Sequence, residues 1–193
     1  MGVVPGADEE VVAVGLRTGR LQSAKRYMNS GKSRRLFAIY VACGAVFVWL
    51  TSMRLPPLVA SHFGASGTAN GFMTRTLYTV FMVAFVTGLP AFVVLLTWYA
   101  VGNARARLNL PNRDYWLAPE RRAETIAFLR AGILWFGVLL ITFMCYAHAL
   151  VVLANEEQPP KLANSWFIGG LVAFFLVLFI AVRKFLGRFG RGA

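Results

Sequence analysis

Four long runs of apolar residues, each free of Asp, Glu, Lys and Arg, constrain this 193-residue chain more than any other feature. A helix that crosses a membrane needs about 20 mostly apolar residues. The runs lack the alternation of a membrane-barrel strand and the polar face of a soluble amphipathic helix. We therefore predict an all-α integral membrane protein, a bundle of four transmembrane helices. The predicted spans are 36–53, 76–101, 131–154 and 165–182.

The positions of Lys and Arg predict the orientation of these spans, because cytoplasmic loops carry an excess of basic residues. The chain has 20 Lys and Arg against 8 Asp and Glu, a net charge of +12. Only 3 of the 20 basic residues lie in the predicted outer loops 54–75 and 155–164. We therefore predict a bacterial inner-membrane protein with both termini in the cytoplasm. Its positive charge then favours anionic phospholipids as partners, and not nucleic acid.

The same pattern divides the chain into three parts. Residues 1–35 are predicted to form a basic cytoplasmic tail, 36–183 the four-span membrane domain, and 184–193 a basic cytoplasmic C-terminus. The tail has no apolar segment of the signal-peptide kind, so we expect the first span to act as an uncleaved anchor. The tail is interpreted either as a basic helix on the inner leaflet or as a flexible flank. In both cases Arg34 and Arg35 are candidate contacts with lipid or a partner.

The first outer loop, 54–75, combines restricted and permissive backbone positions. Pro56 and Pro57 favour an extended exit from the first span, and the glycines and the Asn70-Gly71 pair favour turns. We expect a compact, ordered loop. Its sequence resembles the signature of the domain-of-unknown-function family 1648, a small membrane domain that also occurs in relatives of the SdpI immunity and signalling protein. The matching residues are Leu55, Pro56, Val59, His62, Phe63, Gly67, Gly71 and Phe72. The resemblance implies that this loop is extracytoplasmic, and it implies an immunity or sensor role by association alone.

The central loop, 102–130, is predicted to be cytoplasmic and to contain the start of a helix. Tyr115 and Trp116 are suited to the headgroup interface, and Pro119 occupies a favourable first helical position. We expect a helix from Pro119 that continues into the third span. Three interpretations stay open: a docking platform for a partner or lipid phosphate, a charge-balanced connecting helix, and a catalytic site using acidic residues. The docking candidates are Tyr115, Trp116, Arg121 and Arg122, and the acidic candidates are Asp114, Glu120 and Glu124.

The two histidines of the chain are the weak candidates for a metal site. His62 lies in the first outer loop, and His148 lies in the outer half of the third span, where an ionisable side chain is a functional hypothesis. With Glu156 or Glu157 they offer a metal, proton or quinol-type site on the outer face. The other interpretation is that His62 is an ordinary loop residue. In that interpretation neutral His148 bonds a neighbouring carbonyl or Tyr146.

The residues that follow the fourth span interleave aromatic and basic side chains. Phe185 and Arg188 are candidate contacts with lipid or a partner, and the segment is interpreted as a membrane-surface anchor. Elsewhere the sequence has no P-loop, nucleophile elbow, zinc-protease or dinucleotide-binding motif. We therefore expect no catalytic residues, no bound metal, and no cofactor other than structural lipids.

These observations favour a non-enzymatic accessory or structural subunit that packs against other subunits of a membrane complex. Uncharged spans and small residues support this expectation, because small residues let membrane helices approach closely. The small residues are Ala38, Ala42, Gly132, Gly137, Gly169 and Gly170. The alternative is a self-standing immunity or signalling protein like the family that it resembles. A third interpretation is a small membrane enzyme or channel that uses the two histidines.

Overall fold

A computed structural model describes residues 31–103 and 108–191 of the chain. Of the predicted tail, residues 1–30 lie outside the described residues. The described elements are α1 (Gly31–Ser52), β1 (Leu58–Phe63), β2 (Ala69–Thr74), α2 (Arg75–Gly102), α3 (Arg113–Trp116), α4 (Pro119–Ala154), α5 (Asn164–Gly187) and a 3-10 helix (Phe189–Arg191). The long helices α1, α2, α4 and α5 are each long and apolar enough to cross a membrane. The prediction of four apolar helices that are long enough to cross a membrane is confirmed, and it supports a multi-pass membrane protein.

The helix boundaries extend beyond the predicted spans, mostly at one end of the bundle. Helix α4 begins at Pro119 and runs without a break through the third span, as predicted. Its 36 residues measure about 54 Å at 1.5 Å per residue, whereas the hydrocarbon core of a bilayer is about 30 Å thick. Helix α1 starts at Gly31 and α5 continues to Gly187. These charged extensions lie beyond the apolar spans, where water or headgroups solvate them.

Contacts between helices define the two ends of the bundle. Helices α1 and α4 run parallel, since Tyr40 bonds Thr142 and Thr51 bonds His148. Helix α2 runs antiparallel to them, since Tyr78 also bonds His148. The strands and segment 155–164 therefore share one end, here called the hairpin end. Residue Gly31, α3 and the 3-10 helix share the opposite end, here called the terminal end.

The core lies between α1, α2 and α4. Val48, Val86, Ile141 and Met144 from these three helices are buried against one another. Helix α5 has no buried residue and packs on α4 through stacked or tilted rings, including Phe143 with Phe174 at 4.7 Å between centroids. The bundle is thus a three-helix core with a peripheral fourth helix.

Several of the small residues that we expected to face other subunits instead pack against side chains of the same chain. A Cβ atom at Gly132 would lie 2.6 Å from the ring of Phe185, and Gly170 lies directly against the ring of Tyr146. By contrast, Gly169 has open space where a Cβ would be. Packing between membrane helices favours such close approaches, so the small residues reflect intrachain contacts at these positions.

Exposed aromatic side chains lie near both ends of the long helices. Trp49 and Trp166 are 55% and 69% exposed near the hairpin end, and Tyr99 and Trp135 are 73% and 69% exposed toward the terminal end. Trp and Tyr are enriched at the two interfaces of a membrane, where their rings meet headgroups. Their placement fits a bundle whose apolar surface faces lipid.

The all-α prediction is wrong for the first outer loop, which forms an antiparallel β-hairpin. Strand β1 pairs with β2 from Leu58–Thr74 to Phe63–Ala69, with register shifts on either side of His62. The prolines were predicted to extend the chain and the glycines and the Asn70-Gly71 pair to form turns. Instead Asn70 and Gly71 lie within β2, and the two six-residue strands were not predicted. Both cysteines are free.

Candidate functional site

The hairpin closes the hairpin end of the helix bundle. Val59 is fully buried and packs with Leu55, Tyr78 and Val152, so one face of the hairpin extends the core beyond the helix ends. Successive residues of a strand point to opposite faces. Leu58 is accordingly 59% exposed.

A single amide side chain braces the free edge of β1. The Asn155 Oδ1 atom accepts a hydrogen bond from the Ala60 N–H at 2.8 Å, and its Nδ2 donates to the Ala60 carbonyl at 3.0 Å. The same Nδ2 donates to the Val151 carbonyl at 2.9 Å. A two-stranded hairpin alone is marginally stable, and Asn155 occupies the place that a third strand would fill. It ties the hairpin to the end of α4.

Segment 155–164 braces the turn of the hairpin. The Leu162 N–H donates to the Gly67 carbonyl at 2.8 Å, and Asn164 Nδ2 donates to the Ala65 carbonyl at 2.6 Å. Gly67 has a φ of +81° and lies against the Leu162 carbonyl, where no Cβ would fit. Arg54 and Glu156 form an ion pair at 2.8 Å alongside. We name the strands β1 and β2 together with segment 155–164 the hairpin cap.

Beneath the hairpin cap, His148 forms a buried hydrogen-bonded network that joins three helices. Its side chain is fully buried. Nδ1 lies 2.9 Å from the Tyr78 hydroxyl of α2, and Nε2 lies 2.8 Å from the Thr51 hydroxyl of α1. The Thr51 hydroxyl donates to the Phe47 carbonyl at 2.7 Å, so it accepts from Nε2–H. In its neutral form, His148 is therefore the Nε2–H tautomer, with Tyr78 donating to Nδ1.

The hydrogen bonds of His148 favour a structural role over a catalytic or metal-binding role. Both ring nitrogens of His148 already have partners, and a metal ion would need the lone pair that Tyr78 occupies. The Tyr78 ring also stacks on the imidazole, with centroids 5.7 Å apart. Buried polar groups that are fully paired rigidify and specify a structure. The network fixes the relative positions of α1, α2 and α4 at the hairpin end.

The predicted histidine site is not assembled in the described part of the chain. His62 is exposed on β1 beside Gly71, where a Cβ would lie 2.9 Å from the His62 Cβ. Glu156 pairs with Arg54 instead. Within residues 31–103 and 108–191, no three His, Cys, Asp or Glu side chains are grouped so that they could hold a metal ion.

Sequence reasoning missed the partners of His148. A neighbouring carbonyl or Tyr146 was the expected partner, but the Tyr146 hydroxyl donates to the Trp166 carbonyl at the start of α5. A signal for the correct partners was present, because Thr51 lies near the end of the first predicted span and Tyr78 near the start of the second. Both therefore lie at the outer depth predicted for His148. The common predicted depth could therefore have identified Thr51 and Tyr78 as the partners of His148.

The terminal end holds a second ordered cluster, centred on Phe189. This residue is fully buried, and its carbonyl accepts hydrogen bonds from Asn112 Nδ2 at 3.1 Å and Trp116 Nε1 at 3.2 Å. Its ring meets those of Trp116, Phe128 and Phe185 at centroid distances of 5.4 to 5.8 Å. The chain after α5 is thereby held under α3 and the start of α4.

The structure gives five of the predicted contact residues partners within the chain. Trp116 and Phe185 belong to the Phe189 cluster, and Arg188 pairs with Glu124 at 2.7 Å. Tyr115 is 42% exposed, and its ring lies 4.0 Å from the Arg121 guanidinium. The exposed Arg34 and Arg35 near the start of α1 and the half-buried Arg122 in the first turn of α4 lie at the same end. The basic members of the predicted contact set therefore share the terminal end, and their contact with lipid or a partner stays a prediction.

No family model, curated protein or solved structure matches the chain. The resemblance to the family 1648 signature thus stays a prediction. The residues that carry it nevertheless have definite structural roles. Leu55 and Val59 form the core of the hairpin end, and Gly67 and Gly71 allow close contacts.

Proposed function

We propose that this chain is a non-enzymatic subunit of a larger membrane protein complex and that the hairpin cap is its docking surface. One observation carries the proposal: Leu58 and Phe72 are 59% and 52% exposed on a hairpin whose β1 edge is braced by Asn155. They are diagonal neighbours on one face, close enough to form one apolar patch.

The location of this patch favours a protein partner over lipid chains. The hairpin lies between the end of α1 at Ser52 and the start of α2 at Arg75, beyond the apolar spans. Hydrocarbon does not cover side chains at that level. An exposed apolar patch rimmed by polar residues is typical of an interaction site, and Arg54, Glu156 and Thr74 supply such a rim.

The proposal is non-enzymatic because His148 and Glu156, two of the candidate site residues at the hairpin end, are engaged in structure. Both ring nitrogens of His148 are hydrogen-bonded, and Glu156 forms an ion pair with Arg54. The spans contain no Asp, Glu, Lys or Arg from which a proton path is usually built. A self-standing immunity or signalling protein is the alternative, and it requires no fixed partner.

Partner capture tests the docking surface directly. With the full chain affinity-purified from its own membranes in mild detergent, we expect fixed stoichiometric partners in the mass spectrum. Replacing Leu58→Ser and Phe72→Ser together should reduce their recovery by about tenfold or more, since central apolar contacts each contribute about 2 kcal/mol to such interfaces. Leu186→Ser, a matched change of a 45% exposed residue at the terminal end, should leave recovery unchanged.

Three outcomes contradict this proposal. If the unmodified chain purifies only as a monomer or homo-oligomer after crosslinking in intact cells, it is not a subunit. If that chain expressed alone protects cells from a toxic peptide, the immunity alternative is favoured instead. If Leu186→Ser lowers recovery as much as the hairpin variant, docking does not take place at the hairpin cap.

We further propose that the terminal end faces the cytoplasm of a bacterial cell. Among the described residues, the basic side chains of the hairpin end are Arg54, Arg75 and Lys161. Those of the terminal end are Lys32, Arg34, Arg35, Arg113, Arg121, Arg122, Arg130, Arg183, Lys184 and Arg188. Cytoplasmic loops carry such an excess.

Cysteine labelling tests this orientation. In a chain with both native cysteines replaced by Ala, Ser66→Cys in the exposed hairpin turn should react with a membrane-impermeant maleimide on spheroplasts. Arg113→Cys at the terminal end should react only after lysis. Both sites are exposed, so access to the reagent depends on the side of the membrane. The reverse labelling pattern would overturn the proposed orientation.

A further inference from the structure

A cleft of about 480 Å³ lies at the terminal end of α5, outside the Phe189 cluster. Its walls are Arg183, Lys184, Gly187 and Arg188. A Cβ at Gly187 would meet nothing within 4 Å, so the cleft reaches the helix backbone there. Three cations thus border one open volume, which favours an anionic ligand.

The Arg188 side chain is held in place by two residues that lie outside the cleft. Arg188 donates to Glu124 at 2.7 Å, and its guanidinium lies 4.3 Å from the centre of the Phe128 ring. An ion pair and a cation–π contact together restrict a side chain that is otherwise long and mobile. With Glu124 counted, the group of four charges is still +2. The cleft therefore combines a fixed guanidinium with uncompensated positive charge.

The surface of α5 on the membrane side of the cleft is apolar and open. Phe179, Ile180 and Val182 are 60%, 45% and 44% exposed, and no residue of α5 is buried. An apolar surface that ends in a cationic cleft matches a phospholipid, whose acyl chains continue into a phosphate headgroup. Basic pockets at the ends of membrane helices bind such headgroups. A free phosphate would use only the cleft.

From this continuity we infer that the cleft binds the headgroup of an anionic phospholipid whose acyl chains lie along α5. Arg183, Lys184 and Arg188 contact the headgroup, and Gly187 leaves room for it. The inference is independent of the subunit role, because it concerns the opposite end of the bundle. A chain that purifies without partners would still hold the lipid.

Native mass spectrometry of the full-length protein in detergent, titrated with phosphatidylglycerol or phosphatidylethanolamine, tests this site. We expect phosphatidylglycerol to bind at least about tenfold more tightly. Arg183→Gln with Lys184→Gln should weaken phosphatidylglycerol binding by about tenfold. Gly187→Leu should do the same without changing the charge, by filling the open volume. Arg113→Gln with Arg121→Gln removes two exposed charges at the same end, outside the cleft, and should have no such effect.

The remaining comparisons distinguish a specific binding site from general electrostatic attraction, and lipid binding from the binding of free phosphate. An equal loss in the Arg113/Arg121 control variant would show general electrostatic attraction and overturn the inference. Equal binding of the two phospholipids would also overturn it. Inorganic phosphate should fail to displace phosphatidylglycerol at equal concentration. If phosphate displaces it fully, the cleft is a site for soluble phosphate and the lipid inference is wrong.

Discussion

Replacing His148 by Ala is expected to lower the free energy of unfolding by about 3–4 kcal/mol, the largest effect that we expect from one truncation. The imidazole is fully buried between α1, α2 and α4. Its loss leaves a ring-sized void and deprives the Tyr78 hydroxyl of its acceptor, at a cost of about 1–3 kcal/mol for the unpaired group. Thr51 keeps its bond to the Phe47 carbonyl.

Unfolding of the purified protein by SDS in mixed micelles, followed by circular dichroism, measures this effect. Two tyrosine variants provide a matched comparison, because each deletes one hydroxyl. Tyr78→Phe removes the buried donor to His148 and should cost about 1–2 kcal/mol. Tyr40→Phe removes an exposed contact with Thr142 and should change stability by less than about 0.5 kcal/mol.

A double-mutant cycle then tests whether His148 and Tyr78 act together. Residues in one hydrogen-bonded network are not additive, so Tyr78→Phe should cost less in the His148→Ala background than in the natural chain. A coupling of about 0.6–2 kcal/mol is expected for membrane helices. The His148–Tyr78 hydrogen bond would be contradicted by a coupling energy of zero. It would also be contradicted if Tyr78→Phe and Tyr40→Phe lowered the free energy of unfolding equally.

The helical part of the fold follows from the sequence because the membrane imposes a single strong rule. Backbone polar groups cannot stay unpaired in hydrocarbon, so a long apolar run predicts a spanning helix. The start of α4 was predicted at Pro119 by local chemistry. By contrast, α5 extends five residues past the predicted span, which ends at 182, because the helix continues through Arg183 and Lys184. Nothing in a hydropathy pattern requires a helix to end at its first charge.

The hairpin cap was not predicted because its stabilising contacts are distant in sequence. Strands of six residues containing Gly71 and His62 carry a weak alternation signal. Their brace, Asn155, lies 95 residues from Ala60. Sequence spacing gives no information on such a pair. The turn chemistry at Gly67 was identified correctly, since a positive φ is a local property.

The candidate contact residues show a related limit. Trp116, Phe185 and Arg188 have the composition of a docking surface, and the structure uses all three to hold Phe189 and Glu124. Aromatic and basic residues have the same chemistry whether the partner surface belongs to the same chain or another. Residues that stay exposed after folding, such as Leu58 and Phe72, are therefore better candidates for external contacts.

Replacing Gly137 by Leu is expected to destabilise the bundle by about 3 kcal/mol. A Cβ there would lie 2.6 Å from the Phe37 ring of α1 and 2.7 Å from the Val94 side chain of α2. Both neighbours sit on other helices, so their side chains must rotate or the helices must move apart. Gly137→Ala should cost about 1–2 kcal/mol, even though Ala is about 1 kcal/mol better than Gly within a helix.

Gly88 provides the control for this prediction, because it is also within a long apolar helix and has nothing within 4 Å of its Cβ position. Gly88→Ala should leave stability unchanged or raise it by up to about 1 kcal/mol. The same SDS titration compares the variants. If Gly137→Ala and Gly88→Ala give equal stability, the three helices do not meet at Gly137. A three-helix core requires that only Gly137→Ala destabilises the protein, since only that substitution adds a methyl group where α1, α2 and α4 are in contact.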